Sequence, residues 1–342
     1  MKIMHDVPLA LYSTMRLGGK ANYVVHIRSK EELLEALKWA KGHELPVIMI
    51  GLGSNIVWRD EGFEGLVIVN EFPGYKVTLE DDENYYISVG AGENWDSVVE
   101  RSVTDKASGI EALSLIPGSA GATPVQNVGA YGQDISETLF SVEVYDNNSQ
   151  SFMELNNKDC SFSYRSSIFK TEAKGRYFIT GLNLRLRKSH LKLPLYQSLQ
   201  DYLTENDITD HSPYTIRKAV CAIRSAKLPD PATVANNGSF FANPLIDNDT
   251  FAKLKLVHPT IKHWPAGHGK QKLAAAWLIE KSGFKDIHDR VTGMATWPTQ
   301  PLILVNEKAK TTADLMEFKK KIIDSVKQNF GVTLIQEPEL LP

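Results

Sequence analysis

A glycine-rich stretch from Ile116 to Gly132, reading IPGSAGATPVQNVGAYG, restricts the possible folds of this chain more than any other feature. It holds four glycines, two prolines and no charged side chain. It is too rich in glycine and proline for one helix or strand, and too long for one β-turn. Loops of this length are uncommon unless they are functional, and backbone N–H groups beside small residues can bind phosphate. Composition alone supports a phosphate-binding loop and a tightly packed connection equally.

A second glycine motif, GLGSN at residues 51–55, follows the apolar run LPVIMI. Such a run is typical of a buried strand, and a loop at its end can bind phosphate through Gly51, Gly53, Ser54 and Asn55. The motif is not a Walker A loop, because no Lys-Ser/Thr pair follows. It is not the Rossmann G-x-G-x-x-G either, because no third glycine opens a helix. Taken alone, it favours a plain turn at the end of a strand.

Periodicity and capping signals around these loops predict an α+β arrangement from about residue 16 to residue 187. Ser29 is the predicted N-cap of a helix that ends at Gly42, and a second amphipathic helix follows GAGENW. Strands are predicted at Tyr23–Ile27, 45–50, Leu66–Val69, Tyr85–Val89 and Leu182–Leu186, with a hairpin about the turn DNNS. The composition then shifts near Lys188, and the following segments read as helices.

The C-terminal part carries four clear patterns. KLAAAWLIEKSG predicts a buried helix that ends at Gly283. PLILVNE predicts a strand, and ADLMEFKKKIIDSVKQNFG predicts a long amphipathic helix. VTLIQEPEL predicts a final strand that holds Glu337 before Pro338.

Composition excludes several classes of protein. The formal net charge of −3 gives no basis for bulk binding to nucleic acid or to an anionic membrane. Cys160 and Cys221, the only cysteines, stand far apart, which fits a reducing compartment and excludes a disulfide framework. The N-terminus has no apolar signal segment, so we expect a cytoplasmic monomer without a membrane partner. His258, His263 and His268 recur every five residues between prolines, so no metal site is expected.

Seven motifs in order resemble one family of bacterial flavoenzymes, UDP-N-acetylmuramate dehydrogenase, also called UDP-N-acetylenolpyruvoylglucosamine reductase. GLGSN, the stretch Ile116–Gly132 and YRSSIFK resemble its FAD-binding half. IRSAKLPDP, NNGSFFANP, KLAAAWLIEKSG and QEPEL resemble its substrate domain. The resemblance runs from about Ser13 to Leu340. It implies a FAD-binding fold of two α+β subdomains, of the vanillyl-alcohol-oxidase/PCMH-like type, and a C-terminal α+β substrate-binding domain.

The implied domain boundaries are residues 1–70 and 71–210 for the two FAD-binding subdomains, 211–330 for the substrate-binding domain and 331–342 for a C-terminal strand with Glu337. LPLYQSLQDYL, at residues 193–203, resembles a loop inserted in one form of the family. This similarity implies that Tyr196 closes over the substrate. The N-terminal TMRLGG resembles the other form.

The resemblance implies reduction of the enolpyruvyl ether of UDP-N-acetylglucosamine enolpyruvate to a lactyl ether, giving UDP-N-acetylmuramate for peptidoglycan. NADPH is the implied co-substrate and non-covalent FAD the implied cofactor. Arg165 is the implied stabiliser of the enolate, because a guanidinium pairs bidentately with a carboxylate. Ser239 is the implied proton donor to C2, and Glu337 is either protonated or holds Arg165 or a water. Without the resemblance, these residues would be a turn hydroxyl and two surface charges.

The implied binding residues fall into two groups. For the substrate they are Lys227 and Asn243, with Tyr196, Tyr131 and Lys272 as further candidates; an ordinary surface lysine stays open for Lys272. For the cofactor they are Gly51, Gly53, Ser54, Asn55, Gly118, Ser119, Gly121, Ala122, Gln126, Asn127, Gly129 and Gly132. Two alternatives stay open: another flavoenzyme of the superfamily, such as a sugar or alcohol oxidase, and a catalytically silent nucleotide-binding module.

Overall fold

The computed structural model describes residues 1–189 and 195–342. The strands are β1 Met4–Pro8, β2 Lys20–Ile27, β3 Val47–Ile50, β4 Ile56–Trp58, β5 Phe63–Asn70, β6 Tyr75–Glu80, β7 Asn84–Gly90, β8 Gly129–Ala130, β9 Gln133–Asp134, β10 Leu139–Asp146, β11 Ser151–Asn156, β12 Tyr177–Arg187, β13 Asn236–Ser239, β14 Leu245–Asp247, β15 His263–Pro265, β16 Lys270–Leu273, β17 His288–Asp289, β18 Met294–Trp297, β19 Gln300–Asn306 and β20 Glu339–Leu341. The α-helices are α1 Lys30–Gly42, α2 Trp95–Thr104, α3 Gln197–Glu205, α4 Pro213–Lys227, α5 Asn248–Val257, α6 Ala275–Lys281 and α7 Thr312–Phe330.

The described chain divides into two compact units that are discontinuous in sequence. The first unit holds Met1–Val7, Ala21–Leu52 and Glu64–Ala226, and the second holds Pro8–Lys20, Gly53–Phe63 and Lys227–Pro342. The division at residue 226 differs from the boundary at residue 211 in the sequence analysis, because α4 belongs almost wholly to the first unit. The finer division of the first half into two subdomains stays a prediction.

Besides the two-stranded pair β8-β9, the first unit contains two larger sheets. One has the order β1-β2-β5-β3, with β3 and β5 parallel, and the other has the order β11-β10-β12-β7-β6 and is antiparallel. Along β12, Leu182, Leu184 and Leu186 are fully buried while Arg185 is exposed, so the predicted alternation is confirmed. The apolar faces of both sheets contribute to one core cluster.

Local capping chemistry explains where the helices begin and end. The side chain of Ser29 accepts a hydrogen bond from the Glu32 N–H, which confirms the predicted N-cap of α1. Thr311 and Asp314 form a reciprocal capping box at the start of α7, and Gly331 ends that helix in a left-handed conformation. Each helix of the described residues falls short of the length or the hydrophobicity that crossing a bilayer requires.

The second unit is built on the sheet β13-β19-β18-β17, with a small sheet β14-β16-β15 and a parallel pair β20-β4. Helices α6 and α7 cover an apolar core that includes Leu278, Phe318 and Ile322, all fully buried. This core places β13 and the C-terminal segment, which carry two of the predicted catalytic residues, within the same unit.

Two predicted elements differ from the observed ones. Lys272 and Leu273 belong to β16 rather than to the predicted helix, because turn residues 266–269 pair β16 with β15. The helix therefore begins at Ala275. The predicted final strand is limited to β20, since Pro338 has no N–H for a ladder.

Candidate active site

We call Ile116–Gly132 the glycine loop. It packs against the segment that leads from β7 into α2. The N–H of Gly121 donates to the Ala91 carbonyl at 2.8 Å, and the N–H of Trp95 donates to the Gly118 carbonyl at 3.0 Å. A Cβ built on Gly121 would lie 2.6 Å from the Ala91 Cβ, so a side chain here would force the backbones apart. The absence of side-chain bulk is therefore a steric requirement of this contact.

The first glycine of GLGSN meets the same loop. A Cβ built on Gly51 would overlap the Ser119 hydroxyl, and Ser119 is buried. The structure thus brings together one residue from each glycine motif. Gly53, Ser54 and Asn55 belong to the second unit, where the backbone carbonyls of Ser54 and Asn55 accept hydrogen bonds.

The glycine loop ends in a short hairpin in which β8 pairs with β9. Asn127 precedes the hairpin with a φ of 48°, and its side chain accepts from the Ser136 N–H and donates to the Ser163 carbonyl, both at 3.2 Å. This side chain therefore fixes a left-handed bend in the backbone. Of the other predicted cofactor residues here, Gln126 and Gly129 are half-buried, and Ala122 and Gly132 are exposed.

Arg165 is anchored to the end of the glycine loop. Its Nη2 donates to the Gly129 carbonyl at 2.7 Å and its Nη1 to the Asn127 carbonyl at 3.3 Å. The side chain is 22% exposed, and Asp134 lies 3.9 Å from Nη1. Its backbone φ of 55° is uncommon for a residue other than glycine, and such strain clusters at functional sites. The predicted catalytic arginine and the predicted cofactor loop are thus one structural group.

Two predicted substrate-binding tyrosines meet nearby in the first unit. The rings of Tyr131 and Tyr196 pack edge to face with centres 5.9 Å apart. Burial raises the pKa of Tyr131, and the guanidinium of Arg224 opposes that rise. Burial also raises the pKa of Tyr196, which is nevertheless 40% exposed. The start of the predicted tyrosine loop, at residues 193 and 194, lies outside the described residues.

Arg224 lies beside Tyr131 and was not among the predicted site residues. Its Nη2 donates to the Leu115 carbonyl at 3.2 Å, while its buried Nε has no hydrogen-bond partner among the described residues. Desolvation lowers the pKa of Arg224, and the neighbouring Tyr131 partly restores it. A signal was present: Arg217, Cys221 and Arg224 follow at spacings of four and three, which places two arginines on one face of α4.

In the second unit the structure brings Ser239 and Glu337 to neighbouring segments. Ser239 is exposed at the end of β13, opposite Ile303 of β19. The next residue, Phe240, accepts a hydrogen bond through its carbonyl from the Glu337 N–H at 3.0 Å. Glu337 itself is half-buried. A hydroxyl and a carboxyl group are therefore presented from adjacent, hydrogen-bonded backbone.

Asn243 lies just before β14, and Lys272 lies on β16 opposite Leu245 of β14. The side-chain oxygen of Asn243 accepts from the Ala275 N–H at 2.9 Å, at the start of α6. Lys272 lies on β16, with its ammonium 6.0 Å from the centre of the Trp264 ring. Asn243 thus has a structural role as well as its predicted one.

Lys227 ends α4, where its carbonyl accepts a hydrogen bond from the Thr299 hydroxyl at 2.6 Å. Desolvation lowers the pKa of its ammonium, and the ammonium of Lys262 adds to the effect. Two positive charges close enough to affect each other suit an anionic ligand.

The residues of the first unit fit FAD. Gly51 and Gly121 lie in contacts too close for any side chain, and the Nε of Arg224 is a buried donor that has no hydrogen-bond partner among the described residues. No three His, Cys, Asp or Glu side chains within residues 1–189 and 195–342 are placed to hold a metal ion. The fold and the site define an FAD-dependent oxidoreductase.

Comparison with known proteins identifies the family. Residues 21–151 match the FAD binding domain family, and residues 230–341 match the C-terminal domain of UDP-N-acetylenolpyruvoylglucosamine reductase. The reductase of that name from Cupriavidus pinatubonensis is 39% identical over 98% of both chains, and the one from Thermobifida fusca is 38% identical over 98% of this chain and 97% of its own. The chain belongs to the UDP-N-acetylenolpyruvoylglucosamine reductase family.

A solved structure supports the same fold. The UDP-N-acetylenolpyruvylglucosamine reductase from Thermus caldophilus superposes with a TM-score of 0.69 and covers 100% of both chains at 22% identity. The expectations of an α+β flavin fold and of this family are therefore confirmed.

Proposed function

We propose that this enzyme uses NADPH to reduce UDP-N-acetylglucosamine enolpyruvate to UDP-N-acetylmuramate, a precursor of peptidoglycan, with Arg165, Ser239 and Glu337 at the reacting group. FAD, held by the glycine loop and Gly51, would supply the hydride-transfer chemistry that couples NADPH oxidation to reduction of the enolpyruvyl unit at C3. The observation that carries the proposal is that Ser239 and Glu337 occur on hydrogen-bonded segments in a chain of this family.

Arg165 stabilises the negative charge that develops on the substrate. Hydride addition at C3 leaves carbanion character at C2, which is delocalised into the carboxylate as an enolate. A guanidinium that is already held by two backbone carbonyls is preorganised for that charge and loses little entropy on binding it.

Ser239 donates the proton that C2 receives, and its alkoxide then recovers a proton from solvent. A serine is a weak acid, but an enolate of this kind is a strong base, so correct placement is sufficient. The exposure of Ser239 at the end of β13 supports access to both the substrate and water.

Glu337, whose N–H bonds the carbonyl of the residue after Ser239, adjusts the proton supply in this proposal. An ionised carboxylate would repel an enolate dianion, so Glu337 acts either as the protonated acid or by holding a water or Arg165. A Glu337→Gln variant separates these roles, because the amide keeps hydrogen bonding and loses acidity.

In this proposal Lys227 binds phosphate, and the further substrate-binding residues are Asn243 and Lys272 in the second unit and Tyr131 and Tyr196 in the first. Lys227 supports this role through its neighbouring positive charge from Lys262. The glycine loop and Gly51 take the FAD diphosphate and one side of the flavin ring.

The test is anaerobic stopped flow on Ser239→Ala, with Thr260→Ala, another exposed hydroxyl of the second unit, as the control. We expect normal flavin reduction by NADPH and loss of reoxidation by the enolpyruvyl nucleotide, since only the second half-reaction needs the proton. Equal loss of both half-reactions would rule out the proton-donor role. Consumption of oxygen with a sugar, without NADPH oxidation by the enolpyruvyl nucleotide, would instead indicate an oxidase.

We also propose that the enzyme is a cytoplasmic monomer that binds no nucleic acid. The formal charge of −3 supports the absence of nucleic-acid binding. Light scattering should give the mass of one 38.2 kDa chain; a mass of two chains would contradict the proposal.

A further inference from the structure

Leu115, directly before the glycine loop, has an unusual backbone conformation. Its φ is 54°, in the left-handed region, although it carries a branched side chain that is 38% exposed. This conformation is costly for an L-residue because its Cβ approaches the following carbonyl. Something in the surroundings must therefore hold Leu115 there.

Two side chains form hydrogen bonds with the backbone of Leu115, one with its N–H and one with its carbonyl. The carboxylate of Asp96 accepts a hydrogen bond from the Leu115 N–H at 2.6 Å. The guanidinium of Arg224 donates to the Leu115 carbonyl at 3.2 Å. Both polar groups of the residue that starts the loop are thus bound by side chains of other elements, α2 and α4.

A second arginine fixes the carboxylate of Asp96. Arg217 donates from Nη1 and Nη2 to its two oxygens, at 2.6 and 3.0 Å. The side chains of Arg217 and Asp96 are only 13% and 25% exposed. Because this bidentate ion pair is mostly buried, its two hydrogen bonds fix the orientation of the Asp96 carboxylate. The oxygen that accepts from the Leu115 N–H is therefore held in place.

We propose that Asp96, on the first turn of α2, is a positioning residue for the flavin site: it holds the backbone of Leu115 in the left-handed conformation and so sets the position of the glycine loop that begins at Ile116. Arg217 fixes Asp96, and Asp96 acts through the Leu115 backbone. The same helix turn binds the loop again at Gly118, through the Trp95 N–H, so both ends of the segment 115–118 are set by α2. This inference rests on the proposed location of the flavin site.

The test is a double-mutant cycle between Asp96→Ala and Leu115→Gly, measured as FAD dissociation constants of the apoprotein by flavin fluorescence. Asp96→Ala alone should weaken FAD binding about tenfold. This factor corresponds to the free-energy penalty of a non-glycine residue in the left-handed region. In the Leu115→Gly background the same change should cost less than about threefold, because glycine adopts this φ without strain. This non-additivity is a readout that a general loss of stability would not produce.

The matched control is Asp146→Ala. Asp146 also forms a bidentate pair in the first unit, accepting from Arg176 Nε and Nη2 at 2.9 and 2.8 Å, but it bonds no residue of the loop. It should lower the melting temperature and leave the FAD dissociation constant unchanged. An Asp96→Ala effect that is absent, or equal in both Leu115 backgrounds, would overturn the proposal.

Two further variants keep the result interpretable. Asp96→Asn is the conservative variant, since the amide oxygen can still accept from the Leu115 N–H while the charge that binds Arg217 is lost; it should weaken FAD binding less than Asp96→Ala does, and an equal loss would overturn the role of the Leu115 bond. Gly121→Ala tests the flavin site itself. Unchanged FAD binding by Gly121→Ala would refute that site, whereas a loss by Gly121→Ala without one by Asp96→Ala would refute only the positioning role.

Discussion

Adding one methyl group at Gly121 should remove FAD before it destabilises the protein. Gly121 lies where the glycine loop touches the end of β7, and its N–H donates to the Ala91 carbonyl at 2.8 Å. In the Gly121→Ala variant the new Cβ would start 2.6 Å from the Ala91 Cβ and 3.0 Å from the Ala91 carbonyl oxygen. Since both neighbours are fixed in the backbone, the loop must move outward.

The magnitude follows from the cost of overpacking. Forcing an extra methyl group into a packed contact costs about 1–3 kcal/mol. If the loop relieves the overlap by moving, the free energy of FAD binding becomes less favourable by this amount, because the cofactor must restore the original loop position. The FAD dissociation constant should therefore rise about 5- to 150-fold. The apoprotein should melt within about 4 °C of the parent, because its core contacts are unchanged.

The assay is a titration of apoprotein with FAD, followed by quenching of flavin fluorescence, beside thermal melts of the same samples. Gly42→Ala is the control, since nothing lies within 4 Å of a Cβ built on Gly42 at the end of α1. It should leave FAD binding unchanged. A Gly121→Ala protein that melts much earlier and yet binds FAD normally would refute the reasoning, because the glycine would then serve packing alone.

Three other predictions concern single side chains. Arg165→Lys should lower kcat/KM for the enolpyruvyl nucleotide about 10²- to 10³-fold and leave flavin reduction by NADPH unchanged, since a lysine cannot bind Gly129, Asn127 and a carboxylate at once; loss of the NADPH half-reaction in stopped flow would contradict this. The Arg176 guanidinium holds the pKa of Asp146 below its usual range, so its stabilisation is present above about pH 4 and is lost as the pH falls further; Asp146→Asn should flatten this part of a plot of melting temperature against pH, and an unchanged acid slope would exclude the pair as its source. Asn243→Ala should lower the free energy of unfolding by about 1 kcal/mol through loss of the bond to the Ala275 N–H, as measured by urea titration; an unchanged midpoint with weaker substrate binding would show that the side chain serves the ligand alone.

The sequence predicted the elements whose signals are local. The N-cap at Ser29, the hairpin of β10 and β11, and the alternation in β12 all depend on neighbouring residues, and each is observed. The start of α6 was misplaced because the apolar run KLAAAWLI continues from β16 into the helix. The boundary is marked by the pairing of β16 with β15 across the turn at 266–269 and with β14, and the apolar run itself carries no sign of either pairing.

The site was predictable as far as its residues form motifs. The glycine loop and Arg165, although 36 residues apart in the Gly129 contact, were linked through family resemblance and are joined in the structure. The spacing of Arg217 and Arg224 places both on one face of α4, but no local pattern indicates that they and Asp96 act on Leu115. Their effect depends on the left-handed backbone of Leu115, and a leucine gives no indication of such a φ.

The discontinuity of the two units has a consequence for synthesis on the ribosome. β4, at residues 56–58, pairs in parallel with β20, at residues 339–341. The early segments Pro8–Lys20 and Gly53–Phe63 therefore cannot complete the second unit until Lys227–Pro342 has emerged from the ribosome. During elongation the buried side chains of Val57 and Trp58 have no finished core to enter. The nascent enzyme thus exposes this apolar surface until the residues of β20 have emerged, and a chaperone that shields it would act over that period.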